Sequence, residues 1–392
     1  MTHRFDAIQS ENLRTPASIK WTLYVEDVLP LWVADMDFPV SSAIIERIKA
    51  RLDGWLGYGQ FSGDPEMVAG LIAQQAARGW TGLEAKHFWP INGVVSGLYA
   101  GVLGLSSPGE DVVTQVPIYP PFLSSIRDHG RNILENPMIE PDANTAAGWQ
   151  VDFEQLETLV TPATRIFMLC NPQNPTGRVY SRAELERFAD FVLRHRLYVI
   201  SDELHADLIL DGQSHIPFAS LGPEIAQRTV TLIGPCKSFN AATLSAGMAV
   251  AQNLKLLERM QKATKGLMGH PNALSQEMWR AGIEEGDAWL LEVLAYIRGN
   301  RDALTAFLHE RLPEVRYHAP EGTYLAWMDF RAFPFADRAQ KFMLEEAKVG
   351  LNNGADYGAG YQGFLRINLA TSKAILLEAL ERLERAVRKP LD

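Results

Sequence analysis

The stretch TVTLIGPCKSFNAATLSAGMAV (229–250) contains a single charged residue, Lys237. An apolar, largely β-branched run (Val230 to Ile233) leads to it, a Gly-Pro-Cys turn sits just before it, and small residues follow. Burying an ammonium without a partner is costly, and a lysine so placed tends to shed its proton. The neutral amine that results is a nucleophile toward carbonyl groups. For a lone lysine the plainer reading is an amine snorkelling to solvent from a loop, so the neighbours must decide. Two further segments share the pattern. RIFMLCNPQNPTG (165–177) is an apolar run that breaks at a turn carrying Asn174, and LYVISDELHADL (197–208) is one that ends in Asp202 and His205. Taken singly, the acid reads as a cap, the histidine as a core residue and the asparagine as a turn former. Four such groups at successive strand ends make a site hypothesis.

The elements that must position these residues are legible from periodicity. Between the two apolar runs lies YSRAELERFADFVLRHR (180–196), with Leu185, Phe188, Phe191 and Val192 on one helical face and Ser181 with Glu184 as a capping box. Strand, helix, strand implies a βαβ unit and a parallel sheet, whose ligands sit outside the carboxyl ends of the strands. DVVTQVPIY (111–119) reads as another buried strand, and NGVVSGLYAGVLGL (92–105) as a Gly-rich turn opening an apolar helix. Residues 46–285 are therefore expected to form one large α/β domain. Beyond it, 287–313 has the pattern of a long amphipathic helix with Asp287 as N-cap, 314–330 alternates like strands, 339–350 reads as a helix, 363–370 as a strand and 372–389 as an amphipathic helix. Residues 1–45 plus 286–392 are expected to form a smaller α+β domain. The fold class is thus α/β, a mixed, mostly parallel sheet flanked by helices. Gly358, Gly360 and Gly363 spell G-x-G-x-x-G, but a strand-like segment follows where a dinucleotide site needs a helix, so this is read as a loop.

Composition removes several function classes. The chain has 392 residues and a net charge of −10, with no Lys/Arg-rich block, which argues against nucleic-acid binding. No apolar run approaches spanning length and the N-terminus lacks a signal-like apolar region. The two cysteines, Cys170 and Cys236, lie far apart, which fits a reducing compartment, and the cytoplasm is the expected location. The nine histidines show no ligand spacing, so no metal is expected.

One amine, one carboxylate, one amide and one imidazole suit pyridoxal 5'-phosphate. Its aldehyde needs a lysine for a Schiff base, its ring nitrogen an acid, its phenolic oxygen a donor, and its phosphate the N–H groups of a helix start. The sequence resembles the fold-type I enzymes of the class I/II aminotransferase superfamily through NPTGR (174–178), SDE (201–203) and CKSFN (236–240). Within them it resembles the branch of C–S β-lyases, through LPLWVADMDFPV (29–40) and PEGTYLAWMDF (320–330), along essentially the whole chain.

Carried over by that resemblance, Lys237 is the residue that binds the cofactor aldehyde. Asp202 pairs with the ring nitrogen, Asn174 with the ring hydroxyl, and His205 lies near the same oxygen. Tyr119 stacks on the ring, and the backbone of Val94 and Val95 holds the phosphate. Tyr58 reaches the phosphate of a neighbouring subunit, which implies a homodimer. Arg366 grips the substrate α-carboxylate, and Ala34 faces the same group. Asp35 and Asp37 are assigned to ordering the N-terminal loop. Two positions depart from the wider pattern: Cys236 stands where a serine is usual, and Ser245 where many aminotransferases carry an arginine. The lyase branch commonly lacks that arginine. The resemblance implies a lyase that cleaves L-cystathionine or related S-substituted cysteines to a thiol, pyruvate and ammonia. An aminotransferase needs the same residues and is the alternative, a racemase is a further one, and a cofactor-bearing regulatory protein is more remote.

Overall fold

Burial of the apolar runs builds a seven-stranded sheet in the computed structural model, which describes residues 3–54, 56–141 and 148–389. Its strands are β1 (Phe88–Ile91), β2 (Asp111–Val116), β3 (Asn132–Pro137), β4 (Thr164–Cys170), β5 (Tyr198–Asp202), β6 (Thr229–Ile233) and β7 (Gly247–Val250). They lie in the order β1-β7-β6-β5-β4-β2-β3. All neighbours are parallel except those of β7, which runs against both β1 and β6. Every residue of β2 and β6 is buried, as expected of strands covered on both faces. Register aligns the site: Cys170 sits opposite Asp202, and Asp202 opposite Leu232, so β4, β5 and β6 end at one level.

Local chemistry accounts for the helices. Helix α1 (Val94–Leu105) follows directly on β1, and α2 (Arg182–His195) carries the expected capping box, with Ser181 accepting from the Glu184 backbone. Leu185, Phe188, Phe191 and Val192 form the buried face of α2, and Arg196 closes it in a left-handed conformation. The long helix α3 (Asp287–Arg311) begins one residue earlier than expected: Gly286 is its N-cap and Asp287 lies in its first turn. The preceding helix, Ala273–Glu285, ends on the same glycine, which leaves no room for a separate cap; Asp287 then serves the helix dipole instead.

A four-stranded antiparallel sheet follows, from β8 (Arg316–Tyr317), β9 (Leu325–Asp329), β10 (Asn352–Asn353) and β11 (Phe364–Asn368), in the order β10-β11-β9-β8. The segment expected to be helical over 339–350 is helical only to Ala347, its last turn widened, and Val349–Gly350 pairs in parallel with Leu29–Pro30. The chain closes with α4 (Lys373–Val387), capped by Ser372. The three glycines at 358, 360 and 363 all have positive φ and lie in the connection before β11, so the G-x-G-x-x-G is a loop.

Residues 29–38 form a strap tied to the C-terminal elements. Leu29 and Leu31 donate to the carbonyls of Lys348 and Gly350, Asn368 to Leu31, and Asp37 to Ala370. At its far end Asn240, three residues past Lys237, accepts from Met36 N–H and donates to the carbonyls of Met36 and Phe38. The strap's anchor is a buried ion pair: Lys20 Nζ lies 2.9 Å from Asp37 Oδ2, with side chains 1% and 2% exposed, and Trp21 Nε1 donates to Asp37 Oδ1 at 2.7 Å. Asp37 therefore orders the segment, as expected of it.

Candidate active site

The ends of β4, β5 and β6 deliver Asn174, Asp202 and Lys237 to one cleft, and the strap and β11 deliver Ala34 and Arg366 from the opposite side. Asn174 rides on a turn against which Pro320, Glu321 and Gly322 press closely. The carbonyl of Gly177 accepts from Glu321 and Gly322, and a Cβ on Gly177 would lie 2.2 Å from Pro320 Cβ, so only glycine fits. Arg178 completes the clasp by pairing with both Glu184 and Glu321. It is an architectural residue.

Asp202 closes β5 fully buried, and its Oδ1 accepts from Leu204 N–H at 3.0 Å. Burial pushes its carboxyl up to about 7, and the neighbouring Glu203 charge adds to the rise. The acid next to it is turned away and satisfied: Glu203 accepts from Ser201 Oγ, His215 Nε2 and Phe218 N–H. His205 is buried in the turn beyond, its Nδ1 without a partner, and its ring lies 6.2 Å from that of Tyr324. Burial, with the Lys237 and Arg366 charges, holds His205 down at about 3.

Lys237 Nζ donates to the carbonyl of Ala34 at 2.6 Å, and Tyr324 Oη donates to the same oxygen at 3.0 Å. Burial holds the lysine below its usual range; Asp35 opposes this and Arg366 adds to it. The turn after Lys237 is pinned by Ser238 Oγ, which donates to Asp207 Oδ2 at 2.6 Å, while Arg78 holds the other oxygen of that half-buried acid.

Arg366, 3% exposed, donates from Nη1 to Asn174 Oδ1 at 2.9 Å and from Nη2 to Asn352 Oδ1 at 2.6 Å and the Trp32 carbonyl at 3.1 Å. Its Nε is buried and unpartnered. The guanidinium lies over the Tyr357 ring, 5.4 Å from its centroid. Tyr119 caps the helix Pro120–Arg127, half-buried; burial raises its phenol, with the Arg366 charge opposing.

The start of α1 forms the remaining wall. Gly93, at φ +143°, precedes Val94 and Val95, whose N–H groups have no intrahelical acceptor. A Cβ on Gly93 would meet Ser245 Oγ at 2.9 Å, and Ser245 Oγ donates to the Asn92 carbonyl. Ser245 therefore borders the helix start. Tyr58 is not brought into the cluster by this chain. It is 82% exposed, packs on Phe61, and borders a surface groove with Leu56, His270 and Ala273.

Tyr324, Asn352 and Asn368 were not identified from the sequence. Tyr324 lies within PEGTYLAWMDF, but the pattern there is that of a strand, and nothing local marks a hydroxyl aimed at Ala34. Asn352 and Asn368 lack any sequence signal. Their partners, Arg366 and the strap carbonyls of Val33 and Asp35, are 14 or more than 300 residues away in the chain.

Comparisons with known proteins bear on the fold and the family. The chain is 38% identical to the cystathionine beta-lyase PatB of Bacillus subtilis, over 94% of this chain and 96% of that one. Cystalysin from Treponema denticola, whose structure contains a pyridoxal 5'-phosphate cofactor, superposes with a TM-score of 0.91 at 32% identity, covering 99% of both chains. A pyridoxal-phosphate-bound putative aminotransferase from Clostridium difficile 630 gives a TM-score of 0.91 at 30% identity, over 99% of this chain and 100% of that one. Residues 26–383 match the family described as aminotransferase class I and II, and the chain belongs to that family.

Proposed function

We propose that the protein is a pyridoxal-phosphate-dependent C–S β-lyase acting on L-cystathionine or related S-substituted cysteines, releasing a thiol, pyruvate and ammonia. The observation that carries the reading is the half-buried amine of Lys237, its proton affinity lowered by burial, in one cleft with the buried carboxyl of Asp202. The residues fit the cofactor. Asp202 is a buried acid with a single backbone bond, His205 Nδ1 lacks a partner, and the N–H groups of Val94 and Val95 open α1 beside a glycine that leaves no space for a side chain. In this assignment Asp202 pairs with the ring nitrogen, Asn174 and His205 with the phenolic oxygen, Tyr119 with the ring face, and Val94 and Val95 with the phosphate.

When bound, the cofactor supplies a carbonyl for the substrate amine and a sink for the electron pair left at Cα. Arg366 holds the α-carboxylate, with Ala34 beside it. The Nζ of Lys237, whose charged form burial disfavours, takes the proton from Cα. Asp202 keeps a proton on the ring nitrogen once the cation there compensates its burial. His205, held neutral, adds no further positive charge beside Arg366.

The decisive experiment supplies the holoenzyme with L-cystathionine and no keto acid. Sustained release of pyruvate over many turnovers is expected. A single turnover rescued only by a keto acid would establish the aminotransferase instead, a reading favoured by the similarity to the aminotransferase from Clostridium difficile.

The working unit is a homodimer in this proposal. Leu56, Tyr58, Phe61 and Leu267 are large apolar side chains left exposed, and Tyr58 would complete the phosphate site of a second copy. Residues 46–285 would form the cofactor domain, and 1–45 with 286–392 the smaller one. The cytoplasm is the proposed compartment: both cysteines are free, and no helix among the described residues is long and apolar enough to cross a membrane.

A further inference from the structure

The strap's carbonyls from Trp32 to Asp35 are held by Arg366, Asn368, Tyr324 and Lys20, none of which belongs to the seven-stranded sheet or its turns. Among the described residues, only Lys237 and Asn240 hydrogen-bond to the strap backbone from the strand-end side. The two lie three residues apart on one turn. That turn is closed by Phe239 N–H on the Pro235 carbonyl at 3.0 Å and Ala241 N–H on the Cys236 carbonyl at 3.1 Å. Asn240 has φ +53°, a left-handed conformation that glycine, asparagine and aspartate accept more readily than other residues. Its amide is matched to the strap on both edges. Oδ1 accepts from Met36 N–H at 2.9 Å, and Nδ2 donates to the Met36 carbonyl at 3.0 Å and the Phe38 carbonyl at 2.9 Å. Both amide hydrogens are thereby spent.

The Lys237 tie to the strap cannot be permanent. An amine engaged with the cofactor aldehyde keeps at most one hydrogen, whereas the Asn240 amide neither reacts nor titrates. Building on the assignment of Lys237 as the base at Cα, we infer that Asn240 is its positioning residue. It holds residues 36–38 in register with the Lys237 turn, so that the Ala34 carbonyl stands where it orients the amine whenever the amine is free. The carboxylate site is independent of this clamp: Arg366 bonds Asn174, Asn352 and the Trp32 carbonyl, and none of these bonds Asn240.

Two variants separate the backbone of Asn240 from its amide. Asn240→Gly keeps the positive φ and deletes all three bonds. Asn240→Asp keeps the size and the bond from Met36 N–H but turns an acceptor toward two carbonyls, so it reads the clamp even if the glycine variant folds poorly. Removal and return of the Cα proton is measured in holoenzyme as exchange of L-alanine in heavy water, followed by proton NMR, which needs no leaving group. Both variants should slow this exchange by about ten- to a hundredfold, the scale of a reacting group misplaced by about 1 Å. The affinity for L-alanine, from the change in cofactor absorbance, should stay within about twofold, since Arg366 is untouched. The apoprotein gives a reading that needs no turnover: the rate of forming the borohydride-fixed link with added pyridoxal 5'-phosphate should fall about tenfold, with the final amount unchanged. Wild-type rates of exchange and capture in Asn240→Gly would overturn the inference. So would losses of L-alanine affinity and unfolding temperature in step with the loss of exchange, the mark of a general loosening. A wild type that captures the cofactor but exchanges no alanine would count against Lys237 as the base, and the capture rates would still decide for Asn240. Exchange without thiol release from L-cystathionine would count against the lyase alone.

Discussion

On the strand-end wall of the cleft, Asp202 and His205 are buried, His205 Nδ1 without a partner, their proton affinities pushed to about 7 and about 3 in the directions that burial dictates. On the strap wall, each carbonyl from Trp32 to Met36 is held by a side chain: Arg366, Asn368, Lys237 with Tyr324, Lys20 with Asn368, and Asn240 in turn. A buried polar group left without a partner costs stability unless a ligand completes it. The first wall is therefore shaped for something that arrives, and the second keeps its geometry before anything does. The contrast assigns the cofactor to the strand ends and substrate orientation to the strap.

The largest effect should come from removing the group that joins the two walls. Lys237→Ala should lower kcat by at least about 10⁴-fold, the upper range for a positioned general base. Borohydride should no longer fix the cofactor covalently, while the far-ultraviolet spectrum stays native. Covalent fixation at another residue would break the assignment.

Asp202→Asn tests the unmatched wall in two ways. In the holoenzyme it should cost about 10²- to 10³-fold in kcat, because an amide does not hold the ring nitrogen's proton. In the apoprotein its effect on stability should have the opposite sign. The folded-state affinity of Asp202 for its proton is raised from 3.8 to about 7, so below about pH 4 both states are protonated and nothing is lost. As pH rises from there to about 7 the unfolded chain ionises while the folded apoprotein keeps its proton, which lowers stability by at most roughly 4 kcal/mol. Thermal unfolding at about pH 8 should show the Asn variant more stable than wild type without cofactor, and the difference should vanish at about pH 4. A destabilised variant at both pH values would mean that Asp202 is satisfied within the fold.

Arg366→Lys addresses the satisfied wall. A lysine reaches one of the three acceptors now shared by the guanidinium, so the affinity for an unreactive carboxylate analogue should fall by about tenfold or more, with the absorbance of bound cofactor unchanged. Unchanged affinity would move the α-carboxylate elsewhere. Tyr324→Phe should have the smallest effect. One of two donors to the Ala34 carbonyl is removed, costing about 1 kcal/mol, a few-fold in kcat/KM. A loss as large as that of Lys237→Ala would make Tyr324 a proton carrier in its own right.

The strand-end wall was readable because its signals are local. An apolar run that ends in Asp202 or Lys237 is visible in a dozen residues, and strand order with register then brings the ends level. The helix face of 182–195 and its capping box are likewise short-range patterns. Asp287 was misplaced by one residue because a cap depends on where the preceding helix stops, and two helices here share Gly286.

Sequence alone was enough to mark Lys237, Asp202, His205 and Asn174 as a set at successive strand ends, and the family resemblance added Arg366. Only the tertiary structure joined Ala34 to Lys237, Asn352 to Arg366, and Asn368 to the strap. The links of Lys237 and Asn368 run from side chains to backbone carbonyls more than 200 and 300 residues away. A carbonyl is the same group in every residue, so no pattern of side chains announces which one will be bonded, and only the packing of one sheet against another decides it.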